Sequence, residues 1–246
     1  VFVVENVKGL LAKRHKSTIQ AFYEMVERAG YRVLEFPWVL DAQDFGVPQR
    51  RQRVFLIGAK TGCRLPSLPE VHDERPVVWD AISDLTAIDE ALDQIEGDLF
   101  HGKLGEPSNY AKTLRKQTDL PSDHSSSQEA LTGCRLTAHS HTTLTRFAQT
   151  GQGDYESISR FFRLAENAVG PTLRAGTDRQ NGSYTAPRPI HPIRDRCITV
   201  REAARLHSFP DWFRFHSTIW HGFRQIGNAV PPRLGSAVAK SILEVL

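Results

Sequence analysis

Changes in the period of apolar positions mark the elements of this chain. Val1 to Val4 is a short continuous apolar run of the kind a buried parallel strand shows, with Glu5 and Asn6 at its C-terminal end. Ser17-x-x-Gln20 reads as a capping box. Ile19, Phe22, Tyr23 and Val26 then recur at helical spacing until Gly30, which predicts a helix over about 17–29. Tyr31 to Phe36 reads as a second strand, Asp44 to Pro48 as a loop and Arg53 to Gly58 as a third strand. Between about Thr61 and Pro192 the periodicity weakens and Gly, Pro, Ser, Thr, Asn and Asp punctuate the chain. That predicts a separate loop-rich region with its most flexible point at Ser122 to Ser127. Regularity returns at Thr199-x-x-Glu202, a second capping box, in a helix that Pro210 ends. A last helix opens at Pro231-Pro232 and carries Leu234, Val238, Ile242 and Val245 on one stripe.

The 246 residues hold no apolar run near the roughly 18 residues of a membrane span, so a soluble protein is expected, with no membrane partner. Three cysteines with no Cys-x-x-Cys pair cannot build a disulfide framework, which suggests a reducing cytoplasm. Cys134, His139 and His141 lack a fourth ligand at finger-like spacing, so no metal is expected. The net charge of +3 hides a strong asymmetry. Nine acidic residues lie between Asp73 and Asp98 against Arg75 alone, a stretch that would repel a nucleic-acid backbone. Eleven arginines and no lysine lie between Arg160 and Arg224 against five acidic residues. An arginine-only surplus suits bidentate contacts to phosphate or guanine edges, although an ordinary solvated face would have the same composition.

Four ordered segments stand out: Glu5-Asn6-Val7; Gln49-Arg50-Arg51-Gln52-Arg53-Val54; Thr199-Val200-Arg201-Glu202-Ala203-Ala204-Arg205-Leu206; and Gln225-Ile226-Gly227-Asn228-Ala229-Val230-Pro231-Pro232. Together they resemble the C-terminal half of the DNA (cytosine-5) methyltransferases, over about Val1 to Gly58 and Arg194 to Leu246. The resemblance implies an α/β fold: the C-terminal part of a Rossmann-like, S-adenosylmethionine-dependent methyltransferase sheet, plus a small loop-rich target recognition domain. It divides the chain into residues 1–60, the rear of the catalytic domain; 61–193, the recognition region; and 194–246, the closing motifs and a helix returning to the catalytic domain.

The resemblance also assigns chemistry. Cytosine C5 is a weak nucleophile, so these enzymes add a cysteine thiolate at C6 and let C5 attack the methyl group of S-adenosylmethionine. Charge then develops on the N3 side of the ring, where a carboxyl group can donate a proton. Glu5 matches that carboxyl, with burial under a flipped base as the environment it needs. Arg53 matches the group that binds cytosine O2, and Arg51 one that holds a phosphate or the local fold. Alternate positions of an extended segment can place both in one pocket. Arg50 faces the other side, toward solvent or a phosphate. Gly227, Asn228 and Ala229 match the cofactor-contacting motif, although the same residues also suit a helix-start turn. Arg201, Glu202 and Arg205 read as structural, with a Glu–Arg pair tying the recognition region to the sheet domain. Thr172 and Leu173 match a Thr-Leu element that contacts double-stranded DNA near the flipped base. Arg174, Arg179 and Arg188 are its candidates for guanine or phosphate contacts, with Gly176 and Gly182 letting the backbone approach the groove.

Two family motifs are missing: the Phe-x-Gly-x-Gly turn of the cofactor site and the Pro-Cys-Gln loop of the nucleophile. Cys63, Cys134 and Cys197 all lack that context. Residue 1 is Val, inside a predicted strand, and in the family's order the missing motifs come just before it. The chain is therefore expected to be a fragment, one subunit of a split enzyme, or a degenerate remnant. As a fragment or subunit it would be inactive until joined by an N-terminal half or complementary subunit. The alternative is a non-enzymatic, sequence-specific DNA-binding module.

Overall fold

The computed structural model describes residues 1–115, 130–176 and 188–246. Arg179, Gly182 and the Ser122 to Ser127 stretch lie outside the described residues. The chain gathers into two units, one made of residues 1–46, 50–75 and 232–246, the other of residues 47–49 and 76–231.

In the first unit, β1 (Phe2–Val7), α1 (Lys16–Arg28), β2 (Tyr31–Val33) and β4 (Gln52–Lys60) follow the predicted order, but β2 stops short of the expected Phe36 and β3 (Trp38–Asp41), between β2 and β4, is a strand the sequence pattern did not predict. The nine-residue β4 is the axis of the sheet. β1 pairs along one side of it and β2 and β3 along the other, all antiparallel to it. Val54, Phe55, Leu56, Ile57 and Ala59 are buried in succession, so both faces of β4 are covered. The expectation of a buried parallel strand at Val1 to Val4 is corrected here. β1 pairs antiparallel with β4, its one strand partner among the described residues, and none of Phe2–Val7 is buried. One neighbour covers one edge only, so an apolar run of this length stays partly exposed.

The helix expected over 17–29 runs from Lys16 to Arg28 without the Ser17 cap. Two 3₁₀ turns, Lys8–Leu11 and Lys13–His15, lead straight into it and leave Ser17 inside the first turn, past the position from which a hydroxyl can cap. Gly30, at φ +82°, ends the helix as expected. The ring of Phe2 meets Phe22 of α1 edge-on at 5.9 Å and Tyr31 at 5.4 Å. Gly58 makes room for that ring, since a Cβ there would lie 2.4 Å from it. The C-terminal helix, Pro232–Leu243, buries Leu234 and Val238. Its Arg233 Nη1 donates to the carbonyl of Gly46 at 3.0 Å.

The second unit is mostly short helices: α2 (Val78–Ile82), α3 (Ala87–Glu90), α4 (Asn109–Arg115), α5 (His141–Ala148), α6 (Val200–Leu206) and α7 (Ile219–Asn228). A meander of β5 (Ile95–Glu96), β6 (Leu99–Phe100) and β7 (Leu131–Thr132) accompanies them. No described helix is long and apolar enough to cross a membrane.

All seven residues of α6 are buried, three of them charged. The predicted capping box is present, with Glu202 N–H donating to Thr199 Oγ1 and Thr199 N–H to Glu202 Oε2. Arg196 grips both oxygens of Glu202 at 2.9 Å and both of Asp89 at 2.7 Å. Arg205 reaches Asp211 at 2.7 Å and Asp84 at 3.0 Å, and Asp84 also holds Arg115. Arg201 donates to Thr132, Pro210 and Phe213. Arg201, Glu202 and Arg205 are thus structural. Where a tie to the sheet domain was expected, these partners all lie in the second unit. The acidic stretch therefore acts differently from the sequence expectation: Asp84 and Asp89 neutralise buried arginines.

Burial pushes Glu202 up, but Arg196, His191 and the Thr199 N–H outweigh it and hold its carboxyl at about 2. His191 sits 3.5 Å from Glu202 and is pushed down to about 4, chiefly by its burial. We expect Glu202→Gln to cost about 3–5 kcal/mol, because it leaves Arg196 buried with half its compensation. Denaturant titration at neutral pH checks this, and a loss under about 1 kcal/mol would refute it. Acid should weaken the fold in two steps. The unfolded chain protonates His191 near 6.5 and the fold only near 4, so stability falls as pH drops through that interval. Glu202 adds a second loss below about 4.5. His191→Asn should flatten the first step in a plot of thermal midpoint against pH, and an unchanged slope between pH 6.5 and 4 would count against it.

Candidate active site

In the β1–β4 register Glu5 lies opposite Phe55 and Val7 opposite Arg53. Side chains alternate across a strand, so Glu5, Arg53 and, two residues on, Arg51 share one face. Arg53 Nε donates to Glu5 Oε1 at 2.8 Å, and Arg53 Nη1 donates to the carbonyl of Gln52 at 2.9 Å. Arg53 is 8% exposed, whereas the Glu5 side chain keeps 29%. Gln52 points away and accepts from Lys8 Nζ at 2.9 Å. Arg50 is exposed.

Arg51 is buried, and its backbone is held at both ends: its N–H donates to Asp41 Oδ1 at 3.0 Å and its carbonyl accepts from Ala42 N–H at 3.0 Å. Burial and the neighbouring Arg53 pull the Arg51 guanidinium down to about 9, against the opposing pull of Glu5. Glu5 therefore holds two desolvated cations, one by direct contact. Asp41 was missed by the sequence reading. Its signal is local: an aspartate at a turn start, accepting also from Gln43 N–H at 3.4 Å.

The second unit assembles the other segments. Leu173 N–H donates to Gln49 Oε1 at 3.3 Å. That fixes the amide orientation, so Gln49 Nε2 donates to His207 Nδ1 at 3.0 Å and to the Leu206 carbonyl at 3.4 Å. His207 must then carry its proton on Nε2, which donates to the Ala229 carbonyl at 3.1 Å. Gln49 and His207 are fully buried. One chain of hydrogen bonds thus joins the first residue of Gln-x-Arg-x-Arg, the Thr-Leu element and the closing motif. His207 was not singled out in the sequence, where it is simply the residue after Leu206.

Gly227 and Asn228 end α7 and Ala229 caps it, in place of the helix-start turn. A Cβ on Gly227 would lie 2.3 Å from the Ala175 nitrogen and 2.6 Å from the Arg174 carbonyl carbon. The close approach this glycine permits is to the backbone that follows Thr172 and Leu173. Leu173 is buried and Asn228 is exposed. Thr172, Arg174 and Arg188 line one cleft of about 240 Å³.

Cys134 and Cys197 are buried, and burial pushes both thiols up, Cys197 to about 11. Neither supplies a thiolate near neutral pH. Cys63 is exposed beyond the far end of β4. Glu5 stands opposite Phe55, about 17 Å of strand before Lys60 at roughly 3.4 Å per residue. Among the described residues no group of three His, Cys, Asp or Glu side chains could hold a metal ion.

A family model described as C-5 cytosine-specific DNA methylase matches residues 1–244. The Type II methyltransferase M.XorII of Xanthomonas oryzae pv. oryzae is 47% identical over 249 residues, spanning all of this chain and 58% of that protein. The Type II methyltransferase M1.HphI of Haemophilus parahaemolyticus is 31% identical, over 99% of this chain and 56% of its own length. The chain thus spans under two thirds of these relatives. A crystal structure of a prophage-encoded DNA modification methyltransferase from E. coli superposes with a TM-score of 0.79 at 32% identity, covering 99% of this chain and 69% of that one. S. pombe Dnmt2, at 15% identity and a TM-score of 0.53, shares the fold. The architecture is that of a methyltransferase, and the chain belongs to the C-5 cytosine-specific DNA methylase family.

Proposed function

We propose that this chain is the base-activating and DNA-reading part of a DNA (cytosine-5) methyltransferase that acts on a flipped cytosine. The Glu5–Arg53 ion pair, on one strand face with Arg51, carries this reading. C5 and C6 chemistry needs the ring face that stacking hides, so the base must leave the helix. Once it covers Glu5, the carboxyl shares a proton with N3, where charge develops as a nucleophile adds at C6. Arg53 holds the carboxyl in place through Nε and lies beside it for cytosine O2. Arg51, with its backbone fastened to Asp41 and Ala42, backs Arg53 or meets a phosphate. A module that only bound DNA would have no chemical use for a carboxylate against two desolvated arginines.

S-adenosylmethionine, the family's cofactor, supplies the methyl group when bound. This chain fits only part of it. Asn228 offers an exposed amide suited to the amino-acid end of that zwitterion, whereas Gly227 is packed on Ala175 and the Ala229 carbonyl accepts from His207. Neither of the two buried thiols suits attack at C6, and Cys63 lies along the strand from Glu5. The nucleophile and the rest of the cofactor site therefore come from polypeptide outside these 246 residues, which would dock on the uncovered side of β1. Thr172, Leu173, Arg174, Arg188 and Arg179 belong to the recognition element in this reading, and a DNA-modifying role supports a cytoplasmic location.

Mixing the chain with the part of M.XorII that it does not match should yield methylation at cytosine C5, read by bisulfite sequencing, where the chain alone gives none. Activity of the chain alone would refute the proposal, and so would a folded mixture without transfer. In the active mixture Glu5→Gln should lower the methyl-transfer rate about 100-fold or more and change the DNA dissociation constant less than about threefold. Equal losses in rate and affinity would remove the acid role from Glu5.

A further inference from the structure

The cleft that holds Thr172, Arg174 and Arg188 has a second wall that the motifs do not explain. It is a hairpin in which Tyr155 pairs with Phe162. Between them Glu156 N–H donates to the Phe161 carbonyl at 2.8 Å and Arg160 N–H to the Glu156 carbonyl at 3.0 Å. The Glu156 side chain organises the turn. It is buried and accepts from the N–H groups of Ile158 (3.0 Å) and Ser159 (2.5 Å), the hydroxyls of Ser157 and Ser159, and Arg146 Nε at 3.1 Å. Burial opposes its charge, yet these donors hold its carboxyl at about 2. The hairpin base is anchored by Arg163, which donates to the Pro192 carbonyl and to Asp195, each at 3.0 Å.

A turn held this firmly presents side chains that its own fold leaves outside. Ile158 is 70% exposed and Tyr155 56%. Arg160 adopts φ +58°, a left-handed conformation that costs a non-glycine residue energy and persists only where the surroundings impose it. Its guanidinium lies 5.3 Å from the centre of the Tyr155 ring. The cleft below gathers Arg160, Arg174 and Arg188 with no carboxylate among the described residues that line it, and Arg188 Nη1 is oriented by Thr137 Oγ1 at 2.7 Å. Three cations facing a hydroxyl, Thr172, make an acceptor-seeking surface. A phosphate needs charge alone, but a planar guanidinium in a fixed orientation matches two acceptors in one plane, such as O6 and N7 of guanine.

We propose that the Tyr155–Arg160 turn is a base-reading element of this protein, with Arg160, steadied by Tyr155, specifying a guanine in the major groove of the target site. The proposal rests on the DNA-reading role above and adds the residue that does the reading and the base it reads. Ile158, at the tip, supplies apolar contact, and Arg174 and Arg188 supply the neighbouring donors.

Selection from a randomised duplex pool tests this without methyl transfer. The chain, alone and mixed with the unmatched part of M.XorII, is incubated with the pool, and retained duplexes are sequenced. Wild type should enrich a site containing at least one guanine. Arg160→Gly keeps the left-handed turn and removes the guanidinium, so the thermal midpoint should hold while discrimination at one guanine position falls about 10- to 100-fold. Arg160→Lys keeps the charge and should lose the same discrimination with the salt dependence of binding retained. The proposal is overturned if wild type selects no sequence. It is equally overturned if Arg160→Gly keeps full discrimination, or if affinity falls equally for all sequences and Arg160→Lys restores it, the behaviour of a phosphate contact. Failure of the methylation experiment with selection intact would instead strike the catalytic reading alone.

Discussion

The second unit depends on neutralising charge inside its core. Three of the seven α6 residues are charged and buried, and an uncompensated ion there would cost several kcal/mol. Compensation comes from both far and near in sequence: Asp84 and Asp89 from the acidic stretch, Asp211 just after the helix, and Arg196 just before it. The acidic and arginine-only segments are therefore two sides of one network. Arg196, Arg201 and Arg205 are taken out of any account of DNA contact, and the surplus left to meet a backbone is smaller than composition implies. Among the described arginines that remain, Arg160, Arg174 and Arg188 line the cleft and Arg214 is exposed elsewhere.

That trade explains what was legible in the sequence. Elements fixed by local chemistry were readable: the Thr199–Glu202 capping box, the Gly30 stop, the Leu234 and Val238 part of the C-terminal stripe and the apolar run of β4; Val245 of that stripe falls past the helix end at Leu243. The shared face of Arg51 and Arg53 was readable too, because strand alternation puts residues two apart on one face, whereas the antiparallel pairing that brings Glu5 to them was not. The Ser17 cap failed because the two 3₁₀ turns before it depend on the chain upstream, outside the four-residue window. β1 failed because an apolar run does not report the direction or number of its neighbours. The Asp84 partner of α6, 121 residues from Arg205, the Gln49 partner of His207, 158 residues away, and the Arg146 partner of Glu156, 10 residues away, are contacts that periodicity does not encode.

Gln49 shows how one motif can serve two purposes. It belongs to the second unit, whereas Arg51 and Arg53 belong to the first. Its amide satisfies the Leu173 N–H and fixes the His207 tautomer, so burying it leaves no polar atom of that chain unmet. The Gln-x-Arg-x-Arg spacing thus couples a position buried in the second unit to two arginines that share a strand face with Glu5 in the first, over five residues.

The same holds for the closing motif and changes how its loss should be read. A side chain at Gly227 would drive into the Arg174–Ala175 backbone, and the Ala229 carbonyl is the acceptor that keeps His207 in its single tautomer. Both residues act on the segment beginning at Thr172, well before any question of cofactor arises. In this chain a defect at either position would first displace the Thr-Leu element and the arginine that follows it. Asn228 alone of the three presents its side chain outward, so a substitution there is the one of the three that leaves the segment beginning at Thr172 in place.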